Sequence, residues 1–323
     1  MISLSELHEL TAGVTGVVDV ACPLCGPACR SPANRKRKVL RIWDDGEFVT
    51  YKCARCDTAG WAKEQGAQRS VPRPRSVVEA KDDSDRRELA QFLWSRSGES
   101  TGSLAETYLR SRRCLVPSPA LRFLPARGEH PPAMIARFGS GPITGIHLTK
   151  LAADGTGKAG TDKDKIMIGP STGQPIVVAD HPEHDALLVA EGIEDAASLA
   201  IATGWSAWAA GSAGRIASVV AAAGHFERVF VAVDADRAGR MALERCRTVR
   251  SDVIPLRFDR TLPGAPDANR ALIAYGPDAL LASIEWCEAQ ARYSRSEIGF
   301  HAMQAAIARS AGVFASLPKE GDA

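Results

Sequence analysis

No stretch of this chain is apolar and clean enough to cross a bilayer. An uncharged segment over 196–214 approaches the necessary length, but Gly204, Gly211 and several Ser and Thr interrupt it, and it reads as buried soluble structure. The opening residues MISLSELHEL hold neither a basic run nor an apolar one, so no secretory signal is expected, and the expected location is the cytoplasm with no membrane partner. An excess of one charge is also missing. The 40 Lys and Arg face 38 Asp and Glu, which excludes a histone-like polycation and leaves only local patches to look for. Cysteine is scarce, with 8 in 323 residues, too few for a disulfide scaffold. There is no internal repeat. The segment GTGKAG suggests a phosphate loop, but Ala152 stands at its first glycine position and Ala159 replaces the required Ser or Thr, so it encodes no nucleotide-driven motor. The remaining composition, 45% hydrophobic and 24% charged, is that of a globular protein, and the length suits one large domain or two to three small ones.

Composition divides the chain. Residues 1–66 carry two close cysteine pairs, and 67–85 are Pro-rich and charged without apolar periodicity, as in a linker. Residues 86–180 open with two helical patterns, RRELAQFLWSRS and LAETYLRSRR, and continue with Gly- and Pro-rich sequence holding strand-like runs such as PITGIHLTKL and KIMIG. From 181 the rhythm changes: ALLVAEG, WSAWAAG, RVFVAVDAD and DVIPLRF read as strands, alternating with the helices IEDAASLAIAT, SAGRIASVVAAAG and RAGRMALERCRTVR. Strand–helix alternation with short connections predicts an α/β layer with a mostly parallel sheet over 181–275. Residues 276–323 read as an Ala-rich helical segment.

Cys22-Pro-Leu-Cys25 and Cys53-Ala-Arg-Cys56 are separated by 27 residues, room for a two-strand excursion with hairpin chemistry at WDDGEF. Two such knuckles present four thiolates to one structural Zn²⁺. Cys29 lies close enough to compete, but a free thiol is the expectation for it. Between the knuckles Arg30, Arg35, Lys36, Arg37, Lys38 and Arg41 crowd together, with Trp43, Phe48, Tyr51 and Trp61 interleaved. Basic groups bind phosphates and exposed aromatics stack on unpaired bases, which makes Arg35, Lys36, Arg37 and Lys38 nucleic-acid-binding candidates. The alternative for the aromatics is a small ribbon core, and for the basic run a solvated loop.

Glu191 closes the first strand of the α/β zone, and Asp234 and Asp236 close the third. Strand C-termini of a parallel sheet gather along one edge, where ligands bind. Carboxylates collected there repel one another unless a cation sits between them, and hard oxygen ligands suit Mg²⁺ or Mn²⁺. Helix N-capping would account for Asp236 alone, but not for acids at both strand ends beside Gly192 and Gly239.

VAEGIEDAAS followed by VDADRAGRMA resembles the Toprim family, with its Glu-Gly motif and its Asp-x-Asp motif ahead of Ala-Gly. Ala210-Gly211-Ser212 is similar to the family's glycine-bearing turn, and Gly264-Ala-Pro-Asp267-Ala-Asn269-Arg270 to its late acidic motif in primases, with Arg270 where a second carboxylate often stands. The order zinc ribbon, linker, basic region, Toprim is similar to DnaG-type and phage or plasmid primases over about residues 15–275. That family's zinc motif commonly includes a His, where this chain has four Cys. The resemblance implies an α/β fold: a Rossmann-like Toprim core preceded by a small basic α+β subdomain and an N-terminal β zinc ribbon. It also implies a DNA-directed RNA polymerase making primers on single-stranded DNA from NTPs, beside a separate replicative helicase. Asp234 and Asp236 would hold metal, Glu191 would be a ligand or a general base, and Asp267 would supply a further ligand. Lys150, Lys158, Lys163 and Lys165 would face the catalytic edge and hold template and nucleotide phosphates, with Arg137 and Arg215 as weaker candidates. The competing families are RecR-like recombination mediators, which also pair four Cys with a Toprim domain, and Toprim nucleases.

Overall fold

Alternation and capping set the elements of the N-terminal part. The computed structural model describes residues 2–29, 32–45, 48–63, 79–234 and 237–293. The chain divides into two units, Met1–Val77 and Val78–Ala323. Helix α1 (Leu4–Thr11) starts at a capping box, in which Ser3 accepts from the Glu6 N–H and the Glu6 carboxylate accepts from the Ser3 N–H. Strand β1 (Gly16–Ala21), the short helix α2 (Pro32–Lys36), and strands β2 (Lys38–Asp44), β3 (Phe48–Cys53) and β4 (Ala59–Lys63) follow, the strands forming an antiparallel sheet in sequence order. Leu40, Ile42, Val49, Tyr51 and Cys53 point to the buried face. A Cβ on Gly60 would fall 2.4 Å from the Tyr51 hydroxyl, so a glycine is needed where Tyr51 crosses β4. Tyr51 also takes the Ile2 N–H at 2.9 Å, which places it in the core of this small unit.

The four cysteines close the ribbon. Their sulfurs lie within 4.8 Å of one another, all buried, with Cys22–Cys56 at 3.8 Å and Cys25–Cys53 at 3.7 Å. A tetrahedron of Zn–S bonds of about 2.3 Å has edges of about 3.8 Å, so the donor set fits zinc. Burial pushes the Cys25 and Cys53 thiols up, and a bound cation would reverse that penalty. Cys29 stands outside the set: its thiol donates to the Cys25 carbonyl and takes a hydrogen bond from Arg55 Nη1 at 2.8 Å.

The second unit begins with α3 (Glu79–Ser95), which opens inside the segment expected to be linker; residues 67–78 of that segment, and 64–66 before it, lie outside the described residues. Strand β5 (Gly98–Glu99), helix α4 (Leu104–Ser111), and strands β6 (Leu121–Leu124), β7 (Ala133–Arg137), β8 (Ile146–Lys150) and β9 (Lys165–Ile168) build an antiparallel sheet ordered 5-6-7-8-9. Its strands alternate between two cores. Ala133, Ile135, Ile146 and Leu148 pack with Ala90 of α3, whereas Met134 and Ala136 pack with Tyr108 and Leu109 of α4.

A second sheet holds β10 (Ile176–Ala179), β11 (Ala186–Ala190), β12 (Ser206–Ala209), β13 (Arg228–Ala232) and β14 (Ile254–Leu256), ordered 10-12-11-13-14. All its pairs are parallel except the β10–β12 edge. β10 therefore belongs to this sheet although it precedes residue 181. Helices α5 (Ile193–Thr203) and α8 (Ala268–Tyr293) cover one face, and α6 (Ile216–Ala221) and α7 (Arg237–Val249) cover the other. The central strand β11, ALLVA, is buried throughout because it is covered on both faces. Gly204 stops α5 in the left-handed region, and α8 is kinked at Gly276 and Pro277. Residues 294–323 of the expected C-terminal segment lie outside the described residues. One apolar core runs from α4 and β7 through β11, β13 and α8, so both sheets of this unit share it. Among the described residues no helix is long and apolar enough to cross a membrane.

The purified protein is expected to carry one tightly bound Zn²⁺ per chain. Cys53→Ser should release it and unfold the ribbon while the second unit melts unchanged, because small metal sites supply folding free energy that a small core cannot. Metal analysis of Cys53→Ser returning the full zinc content would contradict the four-thiolate site.

Candidate active site

β11 and β13 run side by side, with Ala190 opposite Ala232. The residues that follow, Glu191 and Asp234, therefore leave the sheet at one edge, as parallel strand ends do. The turn after β12 joins them: Gly211 donates its N–H to the Glu191 carbonyl at 2.9 Å. Gly211 has φ +83°, and a Cβ there would meet Phe138 at 3.3 Å. Gly239 of α7 fits beneath the Asp234 turn, where a Cβ would fall 2.1 Å from the Asp234 carbonyl oxygen. Asp236 lies outside the described residues.

Two further acids, unmarked at the level of sequence, project from the first turn of α5. Asp195 accepts the Asn269 N–H at 3.0 Å. Burial, then repulsion from Asp267, Glu194 and Asp234, pushes its carboxyl up to about 7 despite that hydrogen bond. This crowding of negative charge is of the kind a divalent cation relieves, although among the described residues the one group of side chains close enough together to share an ion is the four cysteines. Asp267 shares the cluster and also caps the start of α8, where its carboxylate accepts the Arg270 N–H at 2.7 Å. Asn269 ties the region together by donating to the Arg112 carbonyl and to Ser198 Oγ, each at 2.9 Å.

Glu194 is buried and meets three groups from the preceding sheet and its helix. The Tyr108 hydroxyl donates to it at 2.6 Å, Lys165 Nζ lies at 3.3 Å and Lys158 Nζ at 3.6 Å. Burial opposes its charge, but the two lysines and the phenol hold the carboxyl well below the usual carboxylate range. Burial would lower both lysines; Glu194 outweighs it at Lys165, which is raised, and not at Lys158, which is lowered. A Cβ on Gly192 would sit 3.1 Å from Asp195 Oδ2, 3.3 Å from Glu194 Oε2 and 3.7 Å from Lys165 Nζ, so the glycine leaves room for this packing. His147 lies buried under the lysines and is lowered to about 4 by burial first and Lys165 second, so it is neutral at pH 7.

The candidate lysines therefore separate. Lys158 and Lys165 converge on Glu194. Lys150 is corrected: Lys165 pairs with Thr149, so side-chain alternation turns Lys150 to the opposite face, where it lines an apolar groove with Phe92, Arg127 and Ile166. Lys163 is exposed in the turn before β9. Arg215 donates to the carbonyls of Ala210, Ser171 and Gln174 and stacks over Phe138, and Arg137 donates to the carbonyls of Gly139 and Gly141. Both arginines serve the frame.

In the ribbon, Arg35 donates to the Cys29 carbonyl, and Lys36, Arg37 and Lys38 are exposed beside it. The aromatics divide by strand alternation. Tyr51 faces the core, whereas register places Val17, Trp43, Thr50 and Trp61 in one row across the other face. Trp43 and Trp61 are 40% and 57% exposed, and Phe48 stacks on Trp61 with centroids 5.6 Å apart. Arg41 and Lys52 stand on the same face, paired with Asp19 and Asp57 respectively.

Residues 84–178 match a domain of unknown function (DUF7146), and residues 186–278 match the Toprim domain. No curated protein matches the chain. Among solved structures, the primase fragment of the bacteriophage T7 primase-helicase protein is similar at 15% identity over 82% of this chain and 97% of that one, with a TM-score of 0.39. The Aquifex aeolicus primase (zinc-binding and RNA polymerase domains) is similar at 14% identity over 94% of this chain and 89% of that one, with a TM-score of 0.42. Within residues 186–278, the segment that matches the Toprim domain, Asp195 is crowded by Asp267, Glu194 and Asp234.

Proposed function

We propose that the protein is a DNA primase that synthesises short RNA primers on single-stranded DNA by two-metal nucleotidyl transfer. The observation that carries this reading is the meeting of opposite charges at one edge: carboxylates at the ends of β11 and β13, with the Lys158 and Lys165 ammonium groups beside them. Polyanionic substrates need both, since the acids recruit cations and the lysines meet phosphate oxygens directly. Asp234 and Asp236 hold metal, Glu191 is a further ligand or the general base, and Asp267 contributes while capping α8. Mg²⁺ or Mn²⁺ bound there would activate the attacking 3′-hydroxyl and neutralise the leaving pyrophosphate. Lys158 and Lys165 orient the triphosphate, and Lys163, in the same loop, reaches template phosphate.

The ribbon binds template. Its open face offers Trp43, Phe48 and Trp61 for base stacking, and Arg35, Lys36, Arg37 and Lys38 supply phosphate contacts. A separate replicative helicase is the partner this reading implies. It would open the duplex and expose the single-stranded template.

Asp234→Ala should lower primer synthesis at least about 100-fold, since a lost metal ligand removes several kcal/mol of transition-state stabilisation. Binding of single-stranded DNA, measured by fluorescence anisotropy, should stay within about twofold because that charge does not touch the DNA. Near wild-type synthesis by the variant would refute the metal assignment.

Replacing Arg35, Lys36, Arg37 and Lys38 by Ala should weaken DNA binding equally on all template sequences. The log–log salt slope should fall by about 0.7 for each phosphate of a single strand that the variant no longer neutralises. An unchanged slope would return the basic run to a solvated loop.

A further inference from the structure

Among the described residues of the second unit, Glu194 is the acid with the least exposed surface, at 5%. It projects from α5, three residues beyond Glu191, on the opposite side of Gly192 from the strand end. Everything that neutralises it comes from outside the Toprim segment: Tyr108 from α4, Lys158 from the loop after β8, and Lys165 from the start of β9. The two lysines keep about two-fifths of their side-chain surface open, 41% and 39%. Each side chain thus has its ammonium group anchored on a buried carboxylate while part of its surface stays open to a ligand. Lys165 Nζ also stands over Gly192, 3.7 Å from where its Cβ would be, which fixes it next to the Glu191 turn. A lysine side chain free in solution samples many rotamers, and holding it in one place costs entropy at the moment of binding unless it is held beforehand.

We propose that Glu194 is the positioning residue for this site: its buried carboxylate anchors Lys158 and Lys165 so that both ammonium groups already face the acidic edge when a nucleoside triphosphate arrives. The inference rests on the nucleotidyl-transfer reading for its ligand, but the anchoring itself does not depend on catalysis. Tyr108 holds the carboxylate in place and leaves both ion pairs to do the anchoring. The loop bearing Lys158 and the strand bearing Lys165 are thereby tied to the helix that follows Glu191, which links phosphate binding to the geometry of the acidic edge.

The test uses the full chain and three variants. Glu194→Gln keeps the shape and removes the charge, Glu194→Asp keeps the charge on a shorter stem, and Tyr108→Phe removes only the hydrogen bond. Amine-acylation rates of Lys158 and Lys165, read by mass spectrometry against the exposed Lys163 as internal reference, need no substrate. Glu194→Gln should raise both rates about tenfold, the change that one pKa unit makes in free amine. Glu194→Asp should restore them in part, and Tyr108→Phe should leave them near wild type. Unchanged rates in Glu194→Gln, or an equal rise in Tyr108→Phe, would overturn the anchoring. In primer synthesis, Glu194→Gln should raise KM for the nucleotide about tenfold with a smaller change in kcat, as lost ground-state binding does. A fall in kcat at unchanged KM would overturn the link to phosphate. If the wild-type protein makes no primers, the function above fails while the labelling still reads the anchoring. If Glu194→Gln does not fold, Glu194→Gln with Lys158→Met removes one charge of each sign and carries the labelling test on Lys165.

Discussion

Repulsion on Asp195 from Asp267, Glu194 and Asp234, where the ends of β13, α5 and α8 meet, is the constraint around which the edge of the second unit is arranged. Parallel pairing brings Glu191 and Asp234 to one edge, and α5 and α8 bring Asp195 and Asp267 to the same place. Such a cluster opposes folding unless cations or ammonium groups stand near it. The protein offsets that repulsion in part with its own residues. Asn269 donates its backbone N–H to Asp195, and Lys158 and Lys165 neutralise the adjacent Glu194. The charge left over is what the proposed metal ions would neutralise.

The ribbon solves a different problem with a related device. Four short strands cannot bury enough apolar surface to be stable on their own. A metal ion held by the four clustered cysteines would supply the missing free energy, and Tyr51 over Gly60 completes the small core. Because the cysteine cluster and one sheet face form the core, the opposite face is free to display Trp43, Phe48 and Trp61. The core and the exposed aromatics thus use separate faces of one sheet.

Local chemistry made much of this legible in the sequence. α5 was readable to its ends because Gly192 and Gly204 bound it, and the strands around it were short apolar runs closed by acids. The cysteine spacing pointed to a site that the folded chain assembles. Other features depend on pairing. Lys150 and Lys165 look alike as basic residues near a Gly-rich loop, and only the β8–β9 register shows that they face opposite ways. For the ribbon aromatics a signal was present: in KVLRIWD and FVTYKC the apolar alternation turns Leu40, Ile42, Val49 and Tyr51 inward and Trp43 outward. Glu194 gave no such signal. A second acid in the first turn of a helix is ordinary, and its importance comes from residues 29, 36 and 86 positions away meeting it in space.

Primer synthesis by the full chain is the decisive measurement. The protein is incubated with single-stranded DNA of mixed sequence, labelled NTPs and Mg²⁺, and the products are resolved on a denaturing gel. Short RNA products are expected that require template, all four NTPs and the divalent ion, and that vanish with chelator. Template binding with no RNA product under any divalent metal would contradict the primase reading and leave a Toprim protein that binds DNA without extending a strand. Shortening of the DNA itself would contradict it in favour of a nuclease.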